Sequence, residues 1–197
     1  MNRDDVAARL AFLREAERLK DTLRSGITAQ GRTESTAEHT WRVALFALAF
    51  ADHLQDINLE RLLALIVVHD LGEVYAGDVP AIYQFADDGR EARERVDFHT
   101  LTDGLPVDVR SNLRSLFDEY AAGETPEAKL AKGFDKLETM LQHTQGANAP
   151  DFDYDFNLDY ARRWTQADKR TSAIRDLIDE ATTRRSRGQA AWPDDAD

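Results

Sequence analysis

Apolar positions along this chain recur mostly at helical spacings. Between Asp4 and Leu23 they fall at Val6, Leu10, Leu13, Leu19 and Leu23 with charges between them, and Gly26 follows as a stop, so a first helix is predicted over 4–23. Ser35-Thr36-Ala37-Glu38 has the form of a capping box, in which the hydroxyl accepts from the third helical N–H and the glutamate reaches back. The segment it opens, 36–54, contains an unbroken apolar run from Val43 to Ala51 and predicts a central helix buried on most faces. Asn58 is the next cap. After it, Leu59, Leu62, Leu63, Ile66 and Val67 make an amphipathic stripe that ends near His69–Gly72. Gly77-Asp78-Val79-Pro80 reads as a turn. Helices are predicted over 88–103 and 107–121, and Thr125-Pro126-Glu127 places a cap before a first-turn proline that opens a helix to about 145. Beyond a loop, Tyr160, Trp164, Ala167, Thr171, Ile174, Ile178 and Ala181 alternate spacings of four and three, predicting a C-terminal helix over 157–183 and a flexible tail at 184–197. No strand pattern of useful length and no repeat is evident, so the expected fold is all-α, one domain over 1–183.

Composition narrows the function classes. A hydrophobic fraction of 42% in 197 residues suffices for a real core. With 37 acidic against 25 basic side chains and a formal charge of −12, the surface is unsuited to a nucleic-acid polymer. The absence of cysteine removes disulfides, thiolate metal sites and cysteine nucleophiles, so any metal must be held by His, Asp and Glu. No signal-peptide pattern and no run of about 20 apolar residues is present, which makes a cytoplasmic protein without membrane contact the expectation.

Of five histidines, His69 alone is followed directly by an acid, in the dipeptide His69-Asp70. The pair follows a strongly apolar helix, where burial is deep and polar groups need partners; a cation is one such partner. Glu73 lies one turn on. His39 falls in the first turn of the 36–54 helix. Asp135 projects away from the stripe of Leu130, Phe134, Leu137 and Leu141, and periodicity alone makes it solvated, although Ala128 and Ala131 beside it leave room for a second helix. Lys129, Lys132 and Lys136 read as a solvated face.

In order along the chain, Arg32-Thr33-Glu34-Ser35-Thr36-Ala37-Glu38-His39, then His69-Asp70-Leu71-Gly72-Glu73 through Gly77-Asp78-Val79-Pro80, then Glu119-Tyr120, Glu127-Ala128-Lys129 and Asp135-Lys136-Leu137-Glu138 resemble the motif series of the HD-domain metal-dependent phosphohydrolases, in their 5′-deoxynucleotidase branch. The resemblance spans about 10–165. It implies that His39, His69, Asp70 and Asp135 ligate one divalent metal, Mn²⁺, Co²⁺, Ni²⁺ or Zn²⁺, with Mg²⁺ compatible. It implies further that Glu73 and Asp78 are catalytic, that Arg24 binds the substrate phosphate and that Glu119 is a carboxylate near the substrate. The implied substrate is a deoxyribonucleoside 5′-monophosphate (dNMP). Ser25 stands where the bacterial enzymes carry a tryptophan, which leaves nucleoside selectivity open. Two-metal HD enzymes need further histidines between the His-Asp pair and the last aspartate; His99 is alone in that interval, favouring one metal. The alternatives are an HD hydrolase of another small phosphate mono- or diester, and a non-catalytic metal-binding interaction module. The Tyr160–Ala181 face suits either a homodimer contact or packing on its own domain.

Overall fold

The computed structural model describes residues 2–85 and 88–193. Helix α1 (Arg3–Ala16) is capped by Asn2 and runs through a 3-10 turn at Glu17–Lys20 into strand β1 (Leu23–Ile27), which pairs antiparallel with β2 (Thr33–Ser35). There follow α2 (Thr36–Ala49), α3 (Leu59–Val68), α4 (Arg90–Thr102), α5 (Val107–Ala122), α6 (Pro126–Gln145), α7 (Tyr154–Asp159), α8 (Arg162–Thr165) and α9 (Lys169–Ser186). The all-α expectation holds apart from the small hairpin. The hairpin also shortens the first helix, since Leu23 and Gly26 lie in β1 and Gly26 is no helix stop. A Cβ at Gly26 would lie 3.0 Å from Glu34 Oε2 and 3.2 Å from Gln142 Cγ, so glycine leaves room for these two side chains against the strand. Gln142 Nε2 donates to the Ile27 carbonyl at 2.6 Å and ties the hairpin to α6.

The caps act as expected. Glu38 N donates to Ser35 Oγ at 3.3 Å while Ser35 N donates to Glu38 Oε2 at 2.9 Å; Asn58 and Thr125 cap α3 and α6. What differs is the helix at the centre. The α2 run is buried on one face through His39, Val43, Phe46 and Ala47, but Trp41, Leu45 and Leu48 stand exposed. The central helix is α6, against which α2, α3, α5 and α9 all pack. Its small residues make this possible: a Cβ at Gly133 would lie 2.8 Å from Thr171 Cγ2 of α9. Asp135, solvated by periodicity, is therefore only 3% exposed.

The predicted 157–183 helix is broken into α7, α8 and α9. Ala161 has φ +54°, and the Arg175 side chain, fully buried, donates to the carbonyls of Asn157, Leu158 and Tyr160 and to Thr165 Oγ1. One guanidinium thus satisfies the carbonyls at the end of α7 that a continuous helix would have bonded internally. Thr171, Ile178 and Ala181 are buried within the chain, so of the two readings of this face these residues take packing on their own domain. Nor is the tail loose from 184: α9 continues to Ser186 and Ala191 is buried, while 194–197 lie outside the described residues. Among the described residues no helix is long and apolar enough to cross a membrane.

Candidate functional site

Four elements deliver the predicted side chains to one place. His39 comes from the first turn of α2, His69-Asp70 from the end of α3, Asp135 from the middle of α6 and Arg24 from β1. After Asp70 the chain enters a 3-10 turn, Leu71–Glu73, with Glu73 N donating to the Asp70 carbonyl at 2.9 Å. Glycine at 72 lets α4 seat on this turn, because a Cβ there would lie 2.7 Å from the Glu94 carbonyl oxygen.

His39 Nε2 lies 3.2 Å from Asp135 Oδ1 and 3.7 Å from Asp70 Oδ2; His69 Nε2 lies 3.0 Å from Asp70 Oδ2. His39, His69 and Asp70 each offer a ligand atom within 4.8 Å of the others, and Asp135 joins this tight trio through His39. The remote ring nitrogens are fixed. His69 Nδ1 donates to the Ile66 carbonyl at 2.7 Å, and His39 Nδ1 donates to Glu138, which Arg42 holds in turn. Both Nε2 atoms therefore face the cluster. Buried, neither makes a well-aligned hydrogen bond among the described residues, although carboxylate oxygens lie 3.0 to 3.7 Å away. Burial and Arg24 work against a charge on His39, yet Glu138 and Asp135 push it up to about 9, so the carboxylates demand a positive charge between them. A proton on Nε2 meets that demand, and a divalent cation would meet it at the same lone pair. The donor set thus fits a metal ion: two imidazole nitrogens and two carboxylates, each oriented by a further bond. Asp135 Oδ2 accepts from Tyr120 Oη at 2.6 Å and pairs with Lys136 Nζ at 3.0 Å.

Above the cluster opens a cavity of about 670 Å³ whose floor includes His69, Asp70, Glu73, Asp78 and Asp135. Arg24 bridges this floor, with Nη1 at 3.4 Å from Asp70 Oδ2 and 3.5 Å from Asp78 Oδ1 and Nη2 at 3.3 Å from Thr139 Oγ1. Thr36 Oγ1 donates to Glu73 Oε2 at 3.1 Å. Burial, reinforced by Asp70 and Asp78 and opposed by Arg24, raises Glu73 well above the ordinary carboxyl range, and burial raises Asp78 too. Ser25 also lines the cavity.

One expected residue is elsewhere. Glu119 does not line the cavity; it pairs with Arg61 and accepts from Thr125 Oγ1 at 2.7 Å, tying α5 to α3 and to the cap of α6. The residue beside it, Tyr120, is the one that reaches Asp135. Lys132 and Lys136 are half-buried rather than a solvated face, Lys132 Nζ sitting 4.3 Å from the Tyr120 ring centroid; Lys129 is exposed as expected. Sequence reasoning did not assign Thr36, Tyr120 or Glu138 to this site. Glu138 stands one turn after Asp135, the one signal that it shares the same face.

The HD domain profile matches residues 16–175. The chain is 32% identical over 138 residues to human 5′-deoxynucleotidase HDDC2, covering 69% of this chain and 67% of that one. It is 32% identical over 148 residues to 5′-deoxynucleotidase hdd1 of Schizosaccharomyces pombe, covering 72% and 74%. The crystal structure of a predicted metal-dependent phosphohydrolase from Magnetospirillum magnetotacticum MS-1 superposes with a TM-score of 0.78 at 28% identity, covering 93% of this chain and 97% of the other.

Proposed function

Because the chain belongs to the HD-domain family, we propose that it is a 5′-deoxynucleotidase, hydrolysing dNMPs to deoxynucleoside and phosphate. The observation that carries the reading is the pair of buried Nε2 atoms converging with Asp70 and Asp135 under a cavity that also holds Arg24, Glu73 and Asp78. His39, His69, Asp70 and Asp135 would hold one divalent ion. Their mixed nitrogen and oxygen donors suit Mn²⁺, Co²⁺, Ni²⁺ or Zn²⁺, with Mg²⁺ compatible. Such an ion, when bound, polarises a phosphoryl oxygen and acidifies water.

The remaining work falls to the chain itself. Arg24 turns its donors from Asp70 and Asp78 to the phosphate, whose oxygens match the guanidinium fork. Glu73, held at one oxygen by Thr36, takes a proton from the attacking water with its raised basicity. The water oxygen bonds to phosphorus as the bond to the 5′-oxygen breaks. Asp78, which burial inclines to hold its proton, supplies one to that leaving oxygen. The presence of Glu73 and Asp78 beside the cluster favours an enzyme over a structural metal site, which needs neither.

A phosphate-release screen tests the reading, with dNMPs, ribonucleotides and generic phosphate esters each assayed with the five ions. Release from dNMPs above the other classes is expected. Equal rates on ribonucleotides would remove the deoxy preference, and release from unrelated esters alone would replace the substrate assignment.

A further inference from the structure

His143 lies eight residues after Asp135 on α6, on the stripe Asp135–Thr139–His143 and about 12 Å further along the helix axis. It lines the cavity together with Phe152 and Phe156, and its ring meets that of Phe152 edge-on at 5.0 Å between centroids. The side chain is 92% buried, being 8% exposed. Its Nδ1 lies 3.0 Å from Asn157 Oδ1. Asn157 is itself buried and is anchored by the bond from Arg175 Nη2 to its carbonyl at 2.7 Å. With Nδ1–H given to Asn157, Nε2 is left as an acceptor. Buried in the wall of a substrate-sized cavity, it has no partner among the described residues. Burial, together with Arg24 and against the Asn157 bond, holds His143 below its ordinary value and keeps the ring neutral.

An acceptor of this kind calls for a donor. A phosphate near neutral pH offers few, and Arg24 and the His/Asp cluster already mark the phosphate end of the cavity. The aromatic rings beside His143 suit a flat heterocycle. We propose that His143 is a specificity-determining residue, its Nε2 accepting a hydrogen bond from an N–H on the edge of the substrate's nucleobase, with Phe152 and Phe156 supplying apolar surface for the base. The inference rests on the deoxynucleotidase reading above. Each of the four bases carries an N–H donor, so the contact favours a base over none rather than one base over another.

The test compares wild type, His143→Phe and His143→Gln on the four dNMPs and on 2-deoxyribose 5-phosphate, which keeps the sugar hydroxyls and the phosphate but has no base. His143→Phe is expected to raise KM for dNMPs about tenfold, the size of one lost hydrogen bond, with kcat little changed. Its turnover of 2-deoxyribose 5-phosphate should match wild type, and His143→Gln, which keeps an acceptor, should recover most of the loss. Equal losses on dNMPs and on the baseless ester, or no loss on either, would overturn the assignment while leaving the enzyme a deoxynucleotidase. Wild-type activity on phosphate esters but on no dNMP would instead remove the substrate reading, and this inference with it. Should His143→Phe fail to fold, the ¹⁵N resonance of His143 Nε2 in Glu73→Ala protein decides: it should move upfield at saturating dAMP, and an unmoved resonance contradicts the contact.

Discussion

Asp70 and Glu73 sit three residues apart, yet their carboxyl groups are driven in opposite directions. Burial raises both. At Asp70 the charges of His69, Arg24 and His39 outweigh it and hold the group down to about 2; at Glu73 the Asp70 charge adds to burial and the group rises. A residue fixed as an anion beside one that readily holds a proton is the division that ligand and general base require. Glu73→Ala should therefore keep its metal, measured by elemental analysis, and lose roughly 10²–10⁴ of turnover in phosphate release; turnover near wild type would remove Glu73 from the chemistry. At this scale His69-Asp70 could be read directly, because the pair is contiguous and closes a strongly apolar helix. Asp135 could not be read from periodicity, since a stripe reports one packed face and α6 is packed on several. Glu119 misled because its neighbour Tyr120 carries the contact.

Helix starts were legible and helix interruptions were not. Capping needs only side chains within three residues of each other, so Ser35–Glu38, Asn58 and Thr125 declare themselves. The β1–β2 hairpin is too short for alternation to register, and the breaks in 157–183 depend on Arg175, whose carbonyl and hydroxyl partners there lie 10 to 18 residues away. Arg175→Met should cost about 3 kcal/mol in urea unfolding, since it leaves buried carbonyls without donors; a change within 0.5 kcal/mol, roughly the surface-site range, would show that the carbonyls find other partners. At the start of α2, the Arg32 and Ser35 bonds hold Glu38 down to about 2. A carboxyl lowered on folding stabilises above its unfolded value, about 4.5, and that contribution fades as pH falls toward 2. The melting-temperature gap between wild type and Glu38→Gln should therefore be small at pH 7, as suits an exposed pair, and should close between those two values. A gap constant with pH would assign it to the cap alone.

Across the whole molecule, the acidic surplus and the site are two separate matters. Most of the 37 acids face solvent, while Asp70, Glu73, Asp78, Asp135 and Glu138 converge in the interior with Arg24 and Lys136 among them. The proposed ligands come from α2, α3 and α6, so an ion there joins three helices of the core. Chelation should lower the melting temperature by about 5–10 °C when the ion has been present at 100 times its Kd, following roughly 2.7 kcal/mol of binding linkage in a chain of this size. Calorimetry showing no shift would mean that the site is not occupied under those conditions.

The bond from Gln142 to the Ile27 carbonyl has a consequence for alignment. It bolts the strand bearing Arg24 to the same rod that bears Asp135, Thr139 and His143, so these groups share a common mount. Jitter elsewhere in the fold then displaces the phosphate clamp and its neighbours together, and their mutual spacing survives distortions that would misalign a site assembled from independently supported parts.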